Sequence, residues 1–153
     1  MIPNMKRLVG SQAREQMLIV RLGEKGYRLT PQRREIIHLL SGDTSHPSAP
    51  DVLKRARKRV SRISMSTVYY TLDMLKREGL IRELDFYDRD NRYDVNMEEH
   101  INLICRKCGM IEDFTEALPV SFKMIEAQTG FQPEGTRFEY YGYCKVCRRT
   151  RKQ

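Results

Sequence analysis

Cys105-Arg106-Lys107-Cys108-Gly109 is one of two stretches that decide the fold of this chain, and Cys144-Lys145-Val146-Cys147 is the other. Together they contain all four cysteines, and 35 residues separate the two pairs. Four thiolates with this spacing can close a tetrahedral structural zinc site. Basic neighbours beside both pairs favour the thiolate form. The sequence therefore predicts one structural Zn(II) per chain, held by Cys105, Cys108, Cys144 and Cys147.

A CxxC pair is also typical of dithiol oxidoreductases, where it begins a helix that follows a strand. In this chain Gly109 follows the first pair, and the second pair lies near the chain end. We prefer the zinc interpretation and keep the redox alternative open. No nucleophile–base grouping, nucleotide-binding loop or metalloprotease motif supports any other enzyme, so we expect a protein that is not an enzyme and binds no small organic cofactor.

Charge divides the 153 residues into two unlike parts. Residues 1–84 carry 17 Lys and Arg against 8 Asp and Glu, whereas residues 85–153 carry 11 against 12. A basic half predicts a module that binds double-stranded DNA, although a merely solvated surface is the alternative. No apolar run is long enough to cross a membrane, and no signal core follows the N-terminus. We expect a cytoplasmic protein, and there paired cysteines hold metal more often than they form disulfides.

Four helix patterns fill the basic half. We expect them over residues 11–26, from Thr30 and Pro31 onward, over residues 48–59, and over residues 64–79. In the fourth, Val68, Leu72 and Leu75 recur at i, i+4 and i+7 and form one buried stripe. The short gap before it is typical of a helix-turn-helix, whose second helix approaches base edges. The predicted DNA-binding residues are Arg33, Arg62, Ser64, Ser66, Thr67, Tyr69, Tyr70, Arg77 and Arg89.

A strand pattern over residues 80–86, a turn at 87–91 and a return strand at 92–95 complete a winged helix. Arg89 at the wing tip, with Arg92 as a second candidate, is placed to reach a phosphate or the minor groove. The fold class is therefore α+β, with a winged-helix DNA-binding domain over residues 1–95, a hinge at 96–99 and a small zinc-bearing α/β dimerisation domain over 100–153. The last domain, with strands at 101–105, 110–114 and 137–143 and a helix at 119–128, is too small to cover both sheet faces, which predicts a homodimer.

A second group of possible metal ligands lies around the hinge. His100 and Asn102 are two residues apart and share one face of a strand. Two imidazoles, two carboxylates and an amide oxygen suit Mn(II) or Fe(II), with Zn(II) possible. Such a regulatory site would bridge both domains and set the spacing of two recognition helices. The alternative is a plain loop histidine and solvated acids. The five residues are His46, Asp94, His100, Asn102 and Asp113.

The order of these parts resembles the Fur (ferric uptake regulator) family of metal-dependent bacterial repressors. The resemblance is carried by residues 29–33 (LTPQR), 46–49 (HPSA), 66–69 (STVY), 79–81 (GLI), 92–94 (RYD), His100 with Asn102, Cys105 to Gly109 leading to Asp113-Phe114, and 141–144 (YGYC). It implies a homodimeric winged-helix repressor with a four-thiolate zinc. The family's regulatory ligands fall on His46, Asp94, His100 and Asp113.

Aspartate at position 113, rather than glutamate, looks like the peroxide-sensing (PerR-like) branch of that family. In that branch bound Fe(II) reacts with peroxide, a ligand histidine becomes oxidised and the DNA is released. This chain departs from the family where Asn102 replaces a usual histidine and where Tyr70 replaces a usual Arg or Asn. Glu99 and Thr136 leave a second histidine-rich site of some members without a match. A regulator that keeps zinc but has altered or lost metal sensing is therefore the alternative.

Overall fold

The computed structural model describes residues 5–86, 88–116 and 120–150, with the backbone alone described for residues 5–9. The chain divides into two compact units, Met1–Met97 and Glu98–Gln153. The domain limits and hinge expected from the sequence stay a prediction. No helix among the described residues has both the length and the apolar content that a membrane span requires.

The first unit contains four helices followed by a two-stranded antiparallel hairpin. Its elements are α1 Met5–Glu24, α2 Pro31–Ser41, α3 Ala49–Ala56, α4 Met65–Arg77, β1 Arg82–Leu84 and β2 Arg92–Asp94. Three helices start within one residue of the positions expected from the sequence, and local side chains set these starts. Thr30, Ser48 and Ser64 each accept a hydrogen bond from the backbone N–H three residues ahead. These caps satisfy N–H groups that the first helical turn leaves unpaired.

One continuous core holds these four helices together. The predicted stripe of α4 is confirmed, since Val68, Leu72 and Leu75 are all buried. They belong to a cluster that includes Leu18 and Leu22 of α1 and the apolar face of α2. Full burial of such a side chain contributes roughly 1.5–3 kcal/mol, so this packing orients α4 and leaves its opposite face to solvent.

Several element limits differ from those expected. The first helix begins at Met5 instead of residue 11, because the lone Gly10 is tolerated inside it. It ends at Glu24, and Gly26 turns the chain with a φ of 79°. The third helix stops at Ala56 and continues as turns to Arg59. Tyr87 of the predicted wing turn lies outside the described residues.

The second unit is a three-stranded sheet with two helices. Its elements are β3 Ile101–Cys105, β4 Ile111–Phe114, α5 Phe122–Thr129, β5 Phe138–Gly142 and α6 Lys145–Arg149. The strand order is β4-β3-β5, with β4 antiparallel and β5 parallel to β3. Helix α5 begins after its cap Ser121 rather than at Pro119, which lies outside the described residues. The sequence did not predict α6. The expected α+β fold class, helices and a wing followed by a sheet domain, is confirmed.

Candidate functional site

The four cysteines converge at one end of the second unit. Cys105 ends β3, Cys108 lies in the turn after it, Cys144 caps α6 and Cys147 lies within that helix. Their sulfurs all lie within 4.8 Å of one another, and none forms a disulfide. The Sγ atoms of Cys108 and Cys144 are 3.8 Å apart. Sulfurs placed about 2.3 Å from a tetrahedral Zn(II) stand about 3.8 Å from each other, so the donor set fits zinc.

Two thiols of this cluster, Cys105 and Cys147, have pKa values that are shifted in opposite directions. Backbone N–H groups of Cys108 and Cys144 point at the sulfur of Cys105 and lower its pKa to about 6. The pKa of Cys147 is raised to about 12, because neighbouring thiol groups, Cys144 first among them, and burial disfavour another negative charge. A cation among the four sulfurs would favour the ionised form of Cys147, which its thiol neighbours and burial disfavour.

The second cysteine pair does open a short helix after a strand, a feature of dithiol oxidoreductases that the sequence interpretation had not expected. In such an enzyme the first cysteine of the motif is accessible and faces its resolving partner. Here the Cys144 sulfur also faces Cys108 from the other pair, and its neighbour Cys147 is buried. The four sulfurs are arranged as one set rather than as two redox pairs.

Two of the predicted regulatory ligands meet within the first unit. His46 precedes the cap of α3, and Asp94 is the last residue of β2. Both side chains are almost fully buried, with His46 Nε2 and Asp94 Oδ1 3.7 Å apart. The same carboxylate oxygen accepts a hydrogen bond of 2.7 Å from the N–H of Asn96. The structure therefore brings an imidazole and an oriented carboxylate together.

A matching group lies within the second unit. His100 Nδ1 donates to the carbonyl oxygen of Glu98 at 2.8 Å, which directs Nε2 towards Asp113 Oδ1 at 3.8 Å. Asn102 stands directly opposite Asp113 in the β3–β4 register. Asn102 is 5% exposed, and its buried amide Oδ1 has no hydrogen-bond partner among the described residues. An orphaned buried oxygen is costly in a protein and is typical of a ligand atom.

The imidazole–carboxylate separations in both groups are compatible with a shared metal ion. Distances of 3.7 and 3.8 Å are too long for hydrogen bonds. Two ligands that each stand about 2.1 Å from one ion are separated by roughly 3–3.6 Å, so small adjustments would let each pair share an ion. Imidazole, carboxylate and amide oxygen donors fit Mn(II) or Fe(II).

Most of the predicted DNA-binding residues are exposed on the first unit, whereas Arg33 is half-buried. Tyr69 and Tyr70 of α4 are each 48% exposed, opposite the buried stripe. Arg62 and Ser66 are exposed near the start of that helix, and Thr67 is partly exposed. Ser64 is engaged as the cap, where its Oγ also pairs with Ser66 Oγ and Thr67 Oγ1. The first turn of α4 thus presents a polar surface that local hydrogen bonds order.

Three arginines of this surface, Arg33, Arg77 and Arg89, are held by neighbouring side chains. The Arg33 guanidinium lies over the Tyr70 ring. Arg77 pairs with Asp73 one helical turn earlier, at 3.1 Å. Arg89 at the wing tip pairs with Asp88 at 2.9 Å. In contrast Arg92 donates to the backbone carbonyl of His46, so its guanidinium is directed at that loop rather than offered to a phosphate.

Sequence reasoning missed one residue of this region, Glu83 on β1. Its carboxylate accepts hydrogen bonds from Lys76 of α4 and from Asn91 and Tyr93 of the wing. Partial burial raises the pKa of Glu83, but these hydrogen bonds and the Lys76 charge outweigh it and lower the pKa overall. The carboxylate therefore stays charged and ties the wing to α4. Its partners lie seven to ten residues away, and no periodic pattern indicates such contacts.

Comparison with known proteins places these features in context. The model of the Ferric uptake regulator family matches residues 24–141. The peroxide-responsive repressor PerR of Staphylococcus epidermidis is 35% identical over 131 residues, covering 85% of this chain and 87% of the relative. The Helicobacter pylori ferric uptake regulator Fur, whose structure has three functional metal binding sites, matches with a TM-score of 0.71 and 25% identity over 90% of this chain and 93% of that one. A zinc-bound manganese uptake regulator matches with a TM-score of 0.63 and 34% identity, over 82% and 97%.

Proposed function

This chain belongs to the ferric uptake regulator family, and we propose that it is a metal-dependent transcriptional repressor whose DNA affinity is set by a regulatory ion at the hinge. The observation that carries the proposal is the pair of imidazole–carboxylate groups, one in each unit, in which both imidazoles are buried. A single ion shared by His46, Asp94, His100 and Asp113, with Asn102 as a further oxygen donor, would fix the DNA-binding unit relative to the other. A fixed orientation of the DNA-binding unit would raise the affinity for a matching operator, because the protein then loses less conformational freedom when it binds DNA.

Structural zinc on the four cysteines is the second part of the proposal. The convergence of the four sulfurs supports it, and so does the zinc-bound relative of similar fold. Zinc would supply folding free energy to a unit whose apolar core is small.

Within the described part of that unit, α5 has no buried residue, and Phe114, Met124, Tyr140 and Tyr141 are exposed. These apolar side chains support a homodimer formed through this unit.

Operator recognition is assigned to α4 and the wing. The first turn of α4, with Ser66, Thr67, Tyr69 and Tyr70, would face base edges in the major groove. Arg33, Arg62, Arg77 and Arg89 would neutralise phosphates or enter the minor groove, and Ser64 would support this surface by capping the helix. The excess of basic residues in the first half supports this assignment.

The stimulus is proposed to be peroxide or the availability of iron and manganese. The PerR relatives and Asp113 favour peroxide sensing. Asn102 favours harder ions such as Mn(II), because an amide oxygen replaces an imidazole in the ligand set. His46 and His100 are then the two ligand histidines open to oxidation.

The proposal is tested by a metal titration of DNA binding. Zinc-loaded protein is titrated into a fluorescent duplex that the protein itself has selected from a random library with Mn(II) present. Affinity is measured without added metal, with Mn(II) and with anaerobic Fe(II), at one fixed salt concentration. We expect affinity to rise at least tenfold with Mn(II) or Fe(II).

The same experiment separates the alternatives. DNA binding that is unaffected by Mn(II) and Fe(II) would indicate a zinc-stabilised regulator that has lost metal sensing. A dithiol oxidoreductase would show accessible thiols and no tight zinc. We expect one tightly bound zinc per chain and four thiols that react only after the zinc is removed.

A further inference from the structure

His46 has an unusual backbone conformation. Among the described residues it is the one non-glycine with a positive φ, 52°. The left-handed region is disfavoured for residues with a Cβ, and such residues persist only where the surroundings hold them. Here the strained residue is also a proposed metal ligand, so the contacts that hold its loop determine where its imidazole points.

Strand β2 supplies most of those contacts. Arg92 Nε donates to the carbonyl oxygen of His46, and Arg92 Nη2 lies 3.5 Å from the carbonyl oxygen of Ser45. The next residue, Tyr93, donates its N–H to the carbonyl oxygen of Pro47 at 3.0 Å. Two consecutive residues of β2, Arg92 and Tyr93, therefore donate to the carbonyl groups of three consecutive loop residues. The guanidinium suits this task because its donors form a rigid planar fork.

Asp43 fixes the start of the same loop and links it to α3. Asp43 accepts hydrogen bonds from the N–H of Ser45 at 2.7 Å and from Ser45 Oγ at 2.6 Å. The same carboxylate forms an ion pair with Arg55 of α3. The loop is thus anchored at its start to α3 and at its end to β2. Because Asp43 already holds one side, the contribution of Arg92 can be measured without unfolding the loop.

Arg92 also stands two residues before the proposed ligand Asp94 on the same strand. Residues i and i+2 of a strand project to the same face. One face of β2 therefore carries both the proposed ligand Asp94 and the side chain that holds the backbone of the proposed ligand His46. Any shift of this strand moves both ligands together.

We propose that Arg92 is a positioning residue for the regulatory divalent cation. It holds the His46 backbone in its left-handed conformation, so that Nε2 faces the carboxylate of Asp94 before the ion arrives. This inference rests on the proposed function of the hinge residues and adds a role for an arginine that the sequence suggested as a DNA contact. Loss of a residue that orients a metal ligand without binding the metal itself typically lowers metal affinity by roughly 10–100-fold.

The test compares Arg92→Ala and Arg92→Lys with wild type and with Arg34→Ala, which removes an exposed arginine of α2. The first readout is amide hydrogen exchange in zinc-loaded protein without Mn(II). Exchange at the N–H of Tyr93, which donates to the loop, is expected to accelerate in Arg92→Ala and to match wild type in Arg34→Ala. Because no regulatory metal is present, this readout reports the loop itself.

The second readout is Mn(II) affinity, measured by electron paramagnetic resonance of the free ion. Arg92→Ala is expected to bind Mn(II) roughly 10–100-fold more weakly than wild type. Arg92→Lys, which keeps one donor and the charge, should recover part of the loss. Zinc content should stay at one per chain in all variants. A merely structural role would lower the unfolding midpoint in proportion to the affinity loss and would show no recovery with lysine.

The outcomes separate this inference from the function on which it rests. Unchanged exchange in Arg92→Ala overturns the inference whatever the metal result. Equal Mn(II) affinity of wild type and Arg92→Ala overturns it as well, while the proposed regulatory site stands. Wild-type protein that takes up no Mn(II) overturns the regulatory site and this inference together. Faster exchange with weaker Mn(II) binding and partial recovery by Arg92→Lys supports it.

Discussion

The Arg33 guanidinium of α2 lies 4.5 Å from the centroid of the Tyr70 ring on the exposed face of α4. Arg33 is also fixed by a hydrogen bond of 2.7 Å from its Nη1 to the carbonyl oxygen of Arg28. The contact joins two helices that are far apart in sequence and orders a tyrosine on the exposed face of α4. Cation–aromatic contacts at exposed sites contribute about 0.5–1 kcal/mol.

This contact predicts that Arg33 and Tyr70 act together in DNA binding. Tyr70→Ala and Arg33→Ala should each weaken operator binding, and the double variant should lose less than both losses combined. Tyr70→Phe should keep the stacking and lose only the hydroxyl contribution. Fluorescence anisotropy with Mn(II) present measures all four affinities. Strictly additive losses would contradict a coupled pair.

Loss of one zinc ligand should abolish the second unit. Cys105→Ser is expected to unfold residues 98–153 and dissociate the dimer, because zinc binding in such sites supplies folding free energy on the order of 10 kcal/mol. Zinc content, circular dichroism and sedimentation velocity measure the three consequences. His100→Ala, which leaves every cysteine in place, is the control and should retain zinc and dimer. A stable dimeric Cys105→Ser protein without zinc would contradict the proposed site.

Asn102 should determine which metal is preferred. Asn102→His replaces an amide oxygen with imidazole, a better ligand for Fe(II) and Zn(II), and should raise affinity for both relative to Mn(II).

After anaerobic Fe(II) loading and peroxide treatment, mass spectrometry should find added oxygen on His46 or His100 in wild type. The variant should show the introduced imidazole as a further target of oxidation. Identical metal preference in both proteins would place Asn102 outside the ligand set.

The Asp43 ion pair predicts a pH dependence of stability. Burial raises the pKa of Asp43, but hydrogen bonds from Ser45 and Arg55 and the Arg55 charge outweigh it, so the folded pKa lies below the ordinary 3.8. Its stabilisation is therefore present above about pH 4 and is lost as the pH falls through the folded pKa. Asp43→Asn should cost about 1–3 kcal/mol at pH 7.

Urea unfolding across pH 3–7 measures the difference between wild type and Asp43→Asn, which should narrow below about pH 4. Asp90→Asn, at an exposed wing position, is the control and should differ from wild type by less than about 0.5 kcal/mol at each pH. A gap between wild type and Asp43→Asn that stays constant from pH 7 to pH 3 would rule out the ion pair as its source.

Features that depend on neighbours a few residues apart were predictable from the sequence. The caps Thr30, Ser48 and Ser64 act on an N–H three residues ahead, and the stripe of α4 follows the helical period. The CxxC spacing within each pair is equally local, whereas the meeting of two pairs that lie 35 residues apart was expected from the chemistry of zinc sites. The element ends were less predictable, because a single glycine costs a helix only about 1 kcal/mol and so does not decide whether the helix ends at Gly10.

Contacts between distant residues could not be predicted in this way. Arg92 and His46 are 46 residues apart, and Asp43 and Arg55 are 12 apart. A side chain that holds a distant carbonyl group leaves no periodic trace in the sequence. The hinge ligands were suggested by residue chemistry and by family resemblance, whereas their pairing as imidazole and carboxylate required the three-dimensional structure.

Anomalous diffraction from crystals of zinc-loaded protein soaked in Mn(II) tests most directly whether two different ions occupy this protein. Data collected on both sides of the zinc and manganese absorption edges identify each ion. We predict zinc among Cys105, Cys108, Cys144 and Cys147, and manganese bound by His46, Asp94, His100 and Asp113. Disulfides in place of zinc, or no manganese at these four residues, would contradict the account.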